Sequence, residues 1–390
     1  MKVVRSENIP IRMWLDDIEP GAFEQAKNLA NLPFAFSHIS IMPDAHQGFG
    51  MPIGGVLATK GVVIPNAVGV DIGCGISAVR TSLKNISSSE VRNVLNGIRQ
   101  VIPVGFTHHK KEQDEKLMPD RGHFTFSKGL VVNREYRSAL RQLGTLGGGN
   151  HFVEIQKGND GFVWIMVHSG SRNIGYKVAE HYNKIAKEQT GKGRRRIPPK
   201  WDLAYLISGS DEEKKYFEEM QYCVDFAFAS RKVMIDRTKK VFTNKMEIDV
   251  CYDNFINIAH NYAASELHFG TPVIVHRKGA TSAKKDEAGI IPGSQGTPSY
   301  IIRGKGNPES FMSCSHGAGR KMGRRQAVRE LNLDYEREKL EREGIIHSIH
   351  SRKDLDEASS AYKDIKEVMK NQEDLVEIVT ELKPLGVIKG

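Results

Sequence analysis

The chain has 390 residues, of which 56 are Lys or Arg and 47 Asp or Glu, for a formal net charge of +9 at pH 7. Its four cysteines (Cys74, Cys223, Cys251, Cys314) form no CxxC pair, which excludes a disulfide framework and points to a reducing compartment. Residues 1–19 lack a secretory pattern and no run of about 18 apolar residues occurs, so neither export nor a membrane helix is supported and a cytoplasmic protein is expected.

A chain of this length buries a substantial core. The basic surplus favours polyanionic partners without identifying them. From Phe34 to Val70 short apolar runs alternate with Pro43, Gly48, Gly50, Gly54, Gly55 and Pro65, which predicts short buried strands joined by tight loops. Asp71-Ile72-Gly73-Cys74-Gly75 follows, placing an acid and a thiol at the mouth of a strand. Ser87 to Gln100 carries Val91, Val94, Leu95 and Ile98 at helical spacing. His108 to Gly122 is polar and predicts a loop.

Leu143 to Ile155 runs a glycine cluster into an apolar strand, with Asn150 and His151 at the junction. The next strand, Phe162 to Val167, ends on His168 and turns at Ser169-Gly170-Ser171. Histidines at strand ends beside glycines occupy the usual place for a site on a rigid scaffold. The basic segment 187–200 reads as an exposed loop. Ser210 and Glu213 have capping-box spacing and open a predicted helix reaching about Phe242.

The segment Cys251 to His268 reads as helical and sets His260 among small residues. Pro272 to Val275 predicts a strand ending at His276, and 289–306 a turn, strand and turn. Ser315-His316-Gly317-Ala318-Gly319-Arg320 exposes one imidazole among residues too small to shield it. Either His316 caps the basic helix predicted from Arg320 to Arg342, or a ligand approaches it closely. A last amphipathic helix is predicted over 362–380. With strands and helices interspersed without a βαβ rhythm, the expected class is α+β, a single large domain over 1–390 of mixed sheets with surrounding helices.

Asp71, Cys74, His151, His168 and His260 are candidate metal ligands. Thiolate and imidazole alone lean towards zinc. Asp71 is a harder ligand, and a mixed set with a bridging thiolate could hold two ions roughly 3.5–4 Å apart, as in phosphoryl chemistry.

Nine segments in order carry a family resemblance: MPDAHQG (42–48), GVDIGCG (69–75), GGGNHFVE (147–154), HSGSRNIG (168–175), HNYA (260–263), HRKGA (276–280), IPGSQGT (291–297), SHGAGR (315–320) and KPLGVIKG (383–390). Together they resemble the RtcB family of RNA-splicing ligases. The resemblance implies a GTP- and Mn²⁺-dependent enzyme joining an RNA 3′-phosphate or 2′,3′-cyclic phosphate to a 5′-hydroxyl, through a histidine–GMP intermediate and an RNA end activated by GMP. It implies two Mn²⁺ ions per chain, with Cys74 bridging, Asp71 and His151 completing one site, and His168 and His260 the other. By the same likeness His316 is the nucleophile and Asp44 orients it. Asn150 and Ser294 resemble phosphate contacts, while Glu154, Ser299, Tyr362 and Lys389 resemble the residues that hold guanine. Arg172, Arg320 and Arg324 would meet phosphates of RNA or GTP.

Two positions depart from the family pattern. Gly323 stands where many relatives carry serine, and Gln295 where methionine is common. Both bear on substrate positioning. The alternative reading is a metal-dependent RNA phosphodiesterase or cyclic-phosphate hydrolase, and charge alone suggests a non-catalytic RNA-binding protein. The biological RNA, the oligomeric state, the role of the first 40 residues and any activating protein are not legible in the sequence.

Overall fold

Two antiparallel-rich sheets organise the computed structural model, which describes residues 1–120, 129–190, 197–246 and 250–390. The first runs in the order Lys2–Val4, Ile11–Met13, Ala35–His46, Ile53–Thr59, Thr271–Lys278, Asn261–His268, with Ile11–Met13 and Ala35–His46 parallel and the rest antiparallel. The second is antiparallel throughout, in the order Tyr252–Ala259, Gly75–Thr81, Val163–Ser169, Phe152–Gly158, Val376–Lys389, Ser299–Gly304, Ala288–Ile291. Helices surround both, so the fold is the expected α+β mixture, and no helix among the described residues is long and apolar enough to cross a membrane.

The long helix Asp211–Met246 lies across the second sheet and buries Tyr216, Phe226, Met234 and Phe242. Ser210 Oγ accepts from the Glu213 N–H at 3.2 Å, while the Glu213 carboxylate accepts from the Gly209 N–H at 3.3 Å. Half of the predicted capping box therefore forms. At Ser87 the box is complete and opens the helix Ser88–Val101, as the spacing predicts.

Several segments differ from their sequence-based reading. Cys251 to His268 is not helical: it forms Tyr252–Ala259 in the second sheet and Asn261–His268 in the first. Pairing with Gly75–Thr81 and Thr271–Lys278 overrides a local composition compatible with helix. The 362–380 segment is helical only over Ile365–Lys370. Its β-branched Val376, Ile378, Val379 and Thr380 begin the strand Val376–Lys389, where Pro384 sits at a register shift. The predicted helix from Arg320 splits into Arg324–Glu330 and Leu333–Arg342, the second capped by Asn332. Lys187–Thr190 closes the helix Arg172–Thr190 instead of opening a loop, and 191–196 lie outside the described residues. His108 to Asp120 is loop apart from a 3-10 turn at Glu115–Leu117; Gly122 lies outside the described residues.

One buried cation ties the long helix to the strand ends. Arg231 donates to Gly73 O at 2.9 Å, Ser169 O at 2.8 Å and Asn257 Oδ1 at 2.8 Å. Burial pulls its pKa down to about 10, which still leaves it charged at neutral pH. Replacing Arg231 by Met orphans these buried acceptors, so unfolding by urea should show a loss of about 3 kcal/mol or more.

Candidate active site

Register brings the predicted ligands together. In the second sheet Gly75 pairs with both Ala259 and Ser169, and Phe152 pairs with both His168 and Lys389. Cys74, His260, His168, His151 and Lys389 therefore stand at neighbouring strand ends on one edge. His260 sits where the chain leaves one sheet for the other, its N–H bonded to Cys74 O at 2.8 Å.

Two sets of potential ligand atoms result, Asp71 with Cys74 and His151, and Cys74 with His168 and His260, each within 4.8 Å. Cys74 Sγ lies 3.4 Å from the Nε2 atoms of His151 and His168, and His151 Nε2 lies 3.2 Å from Asp71 Oδ2. Burial, then the Asp71 charge, pushes the Cys74 thiol well up. Burial and the neighbouring imidazoles push His168 and His260 well down. Burial raises the Asp71 carboxyl, but the His151 hydrogen bond and charge, with Arg172, outweigh it and the net shift is downward. The neutral imidazoles of His168 and His260, the His151 ring, a carboxylate and a thiol that ionises only beside a cation make a donor set suited to metal. Asp71 Oδ1, His151 Nδ1 and His260 Nδ1 have no hydrogen-bond partner among the described residues, which also fits.

His316 faces this cluster, its ring centroid 4.8 Å from that of His260. It follows the strand Ser313–Ser315 and lies well before the helix at Arg324, so it does not cap that helix. Both its N–H and its Nδ1 meet Asp44 Oδ2, at 3.0 and 2.6 Å. A fully buried carboxylate accepts from Nδ1–H, which leaves the Nε2 lone pair free. Gly319, not Gly317, takes the left-handed conformation: its φ is +72° and a Cβ there would lie 2.1 Å from Asp44 O.

A cavity of about 840 Å³ joins these groups. Asp71, Cys74, His168, His260 and His316 line one side of it. Asn150, Glu154, Ser294, Tyr362 and Lys389 line the other, with Arg320 and Arg324. His151, Asp44, Ser299 and Arg172 stand behind this lining. Ser299 Oγ accepts from Gln156 Nε2 at 3.0 Å, and Gln156 also bonds Glu154. Burial raises the Glu154 pKa to about 8 against the pull of Lys389 and of Gln156.

The three arginines divide by their partners. Arg324 is half exposed, with Glu357 Oε1 at 3.4 Å. Arg320 is held by Met322 O, Glu357, Tyr362 and Asp356 O, which commits four of its five N–H donors. Arg172 has φ +61° at the start of its helix, bonds Gly105 O at 3.4 Å, and presses on Gly147, where a Cβ would meet its Nη1 at 1.9 Å.

A sequence model of the family described as "tRNA-splicing ligase RtcB" matches residues 25–390. The chain belongs to the RtcB family. "RNA-splicing ligase RtcB1" of Escherichia coli is 36% identical over 100% of this chain and 99% of its own length. "tRNA-splicing ligase RtcB" of Thermococcus kodakarensis is 30% identical over 98% and 95%, and "RNA-splicing ligase RtcB homolog 1" of Entamoeba histolytica 32% over 95% and 85%.

For this RtcB chain the sequence reading missed Gln156, Lys278 and Glu357. Lys278 Nζ donates to Phe49 O at 2.5 Å and Asn66 O at 3.0 Å at the cavity wall, and burial brings its pKa down to about 8. A lysine within a buried strand run was the available signal, as was Gln156 two residues from Glu154 on one strand face. Glu357 follows a charged run and carried no signal. Of the departures, Gln295 donates to Glu357 O at 2.9 Å, and Gly323 is the N-cap residue of Arg324–Glu330.

Because Cys74 belongs to both potential ligand sets, Cys74→Ala should abolish tight divalent-metal binding at both, whereas His260→Ala should abolish it at one. Metal analysis after dialysis distinguishes these outcomes.

Proposed function

We propose that this chain, an RNA ligase of the RtcB family, joins RNA 3′-phosphate or 2′,3′-cyclic phosphate ends to 5′-hydroxyl ends with GTP, and that His316 carries GMP. The observation that carries the reading is His316, its Nδ1 held by Asp44, in one cavity with the ligand cluster, Glu154 and Lys389. Mn²⁺ ions held by Asp71, Cys74 and His151 and by Cys74, His168 and His260 would offset charge on the phosphate oxygens.

His316 Nε2 attacks the α-phosphorus of GTP, a P–N bond forms, the P–O bond to the leaving group breaks, and pyrophosphate departs. The Nδ1 proton stays against Asp44, whose charge stabilises the ring as its positive charge develops. An oxygen of the RNA 3′-phosphate next takes the GMP and frees Nε2. The 5′-hydroxyl then attacks the activated 3′-phosphorus, losing its proton, and GMP departs. A cyclic end is first opened by water. Asn150, Ser294 and Arg324, which line the cavity, serve as phosphate contacts, while Arg172 stands behind them. The free Nε2 beside the cluster favours the ligase over the hydrolase reading, which has no use for a nucleophilic imidazole.

Glu154 reads guanine, since a carboxylate accepts from N1 and N2 and adenine offers no such donor pair. Gln156 holds that carboxylate and is itself anchored on Ser299, and Lys389 and Tyr362 complete the seat.

Incubation with α-labelled GTP and Mn²⁺ should leave acid-labile label on the chain and none on His316→Ala; label retained by that variant refutes the covalent step. A second expectation concerns pH. With its pKa near 8, Glu154 is protonated in the empty seat below that pH, and guanine requires it ionised. GTP affinity should therefore rise between pH 6.5 and 8, by up to about tenfold per unit, then level off. The rise should vanish in Glu154→Ala, measured by equilibrium binding.

A further inference from the structure

We propose that Glu357 is the positioning residue of the guanine seat, a buried carboxylate that sets Lys389, Tyr362 and Arg320 in the poses the nucleotide meets. The inference rests on the GTP-dependent reading of this cavity.

Its backbone is held firmly. Glu357 ends the 3-10 turn Arg352–Glu357, which a Ser351–Asp354 capping box opens, and Leu355 and Ala358 on either side pack with Leu340, Ile345 and Ile349. Gln295 anchors its carbonyl from the 292–299 turn. Only 5% of the side chain is exposed, yet four donors converge on it. Oε1 faces Arg320 Nη1 at 3.1 Å and Arg324 Nε at 3.4 Å; Oε2 accepts from the Tyr362 hydroxyl and from Lys389 Nζ at 3.1 Å. Burial alone would raise its pKa, but Lys389, the Tyr362 hydrogen bond and both arginines bring it down, so the carboxylate stays ionised.

These bonds decide what each neighbour can still offer a ligand. Tyr362 spends its hydroxyl proton on Glu357 and accepts from Arg320, whose guanidinium lies over one ring face, which leaves the opposite ring face. Lys389 has three N–H donors; Glu357 and Asn150 O, at 3.3 Å, take two. The third can meet an acceptor such as guanine O6, and it disfavours adenine, whose N6 amine is a donor. Glu357 also counters the mutual repulsion of three cations. Without its charge Lys389 is drawn to Glu154, which it already influences, and such a pair would occupy the carboxylate that reads guanine.

The test measures labelling of the full-length chain by α-labelled GTP and ATP with Mn²⁺. In Glu357→Gln the GTP-to-ATP preference in kcat/KM should fall by about tenfold or more, mainly through a higher KM for GTP. In the double variant with Lys389→Met the preference should fall no further than in Lys389→Met alone, because the two residues act as one unit. A preference within about twofold of wild type in Glu357→Gln, or losses that multiply in the double variant, would overturn the proposal. Should Glu357→Gln fail to fold, Glu357→Asp decides instead: it retracts the charge by one methylene and should lower the preference about threefold, and a wild-type value overturns the proposal. If the wild-type chain itself takes no label, the GTP-dependent reading falls together with this inference; label with unchanged preference removes the inference alone.

Discussion

Antiparallel register is the constraint on which the site depends. Setting Gly75 against both Ala259 and Ser169, and Phe152 against both His168 and Lys389, places four candidate ligands and Lys389 on adjacent strand ends without any of them being close in sequence. Strand spacing of about 4.8 Å then brings side chains on neighbouring ends within reach of one another. The arrangement is fixed from below by Arg231, whose guanidinium bonds the carbonyls of Gly73 and Ser169 beside two of those ends. A helix, an arginine and a sheet edge thus act together to orient groups that burial has left mostly neutral.

The charge balance of the cavity divides it into two halves with opposite problems. On the ligand side, burial suppresses protonation of His168 and His260, which leaves their lone pairs to a cation, while it makes Cys74 keep its proton until a cation displaces it. On the opposite side Lys389, Arg320 and Arg324 crowd one carboxylate, Glu357, while Glu154 remains prone to protonation. His316 stands with the ligand half, against His260, and Asp44, fully buried, fixes its tautomer.

Much of the site was legible as residue types in context. Cys74, His151 and His168 announced themselves by standing where apolar runs meet glycines, and the order of nine short segments pointed to a family that full-length similarity now establishes. Other features were not legible. Cys251 to His268 carries three alanines, Glu266 and Leu267, which suit a helix, and only pairing partners from two sheets make it two strands hinged at His260. The end of the chain misled in the same way. Val376–Lys389 becomes a central strand because Phe152–Gly158 and Ser299–Gly304 flank it, and those partners lie more than 70 residues away in sequence.

The sequence by itself determined the chemistry available: one thiol, one carboxylate and three imidazoles at strand mouths, one histidine among glycines, and a basic surplus. Those properties reside in side-chain type and local backbone freedom, which travel with the chain. Only the tertiary structure decided how the charged groups were shared out. It made Arg320 a strut with four committed donors while leaving Arg324 half exposed, and it gave Glu357, silent in the sequence, the centre of the cationic half. Hydrogen-bond partners and desolvation are long-range properties, set by which distant segments the fold brings to one cavity.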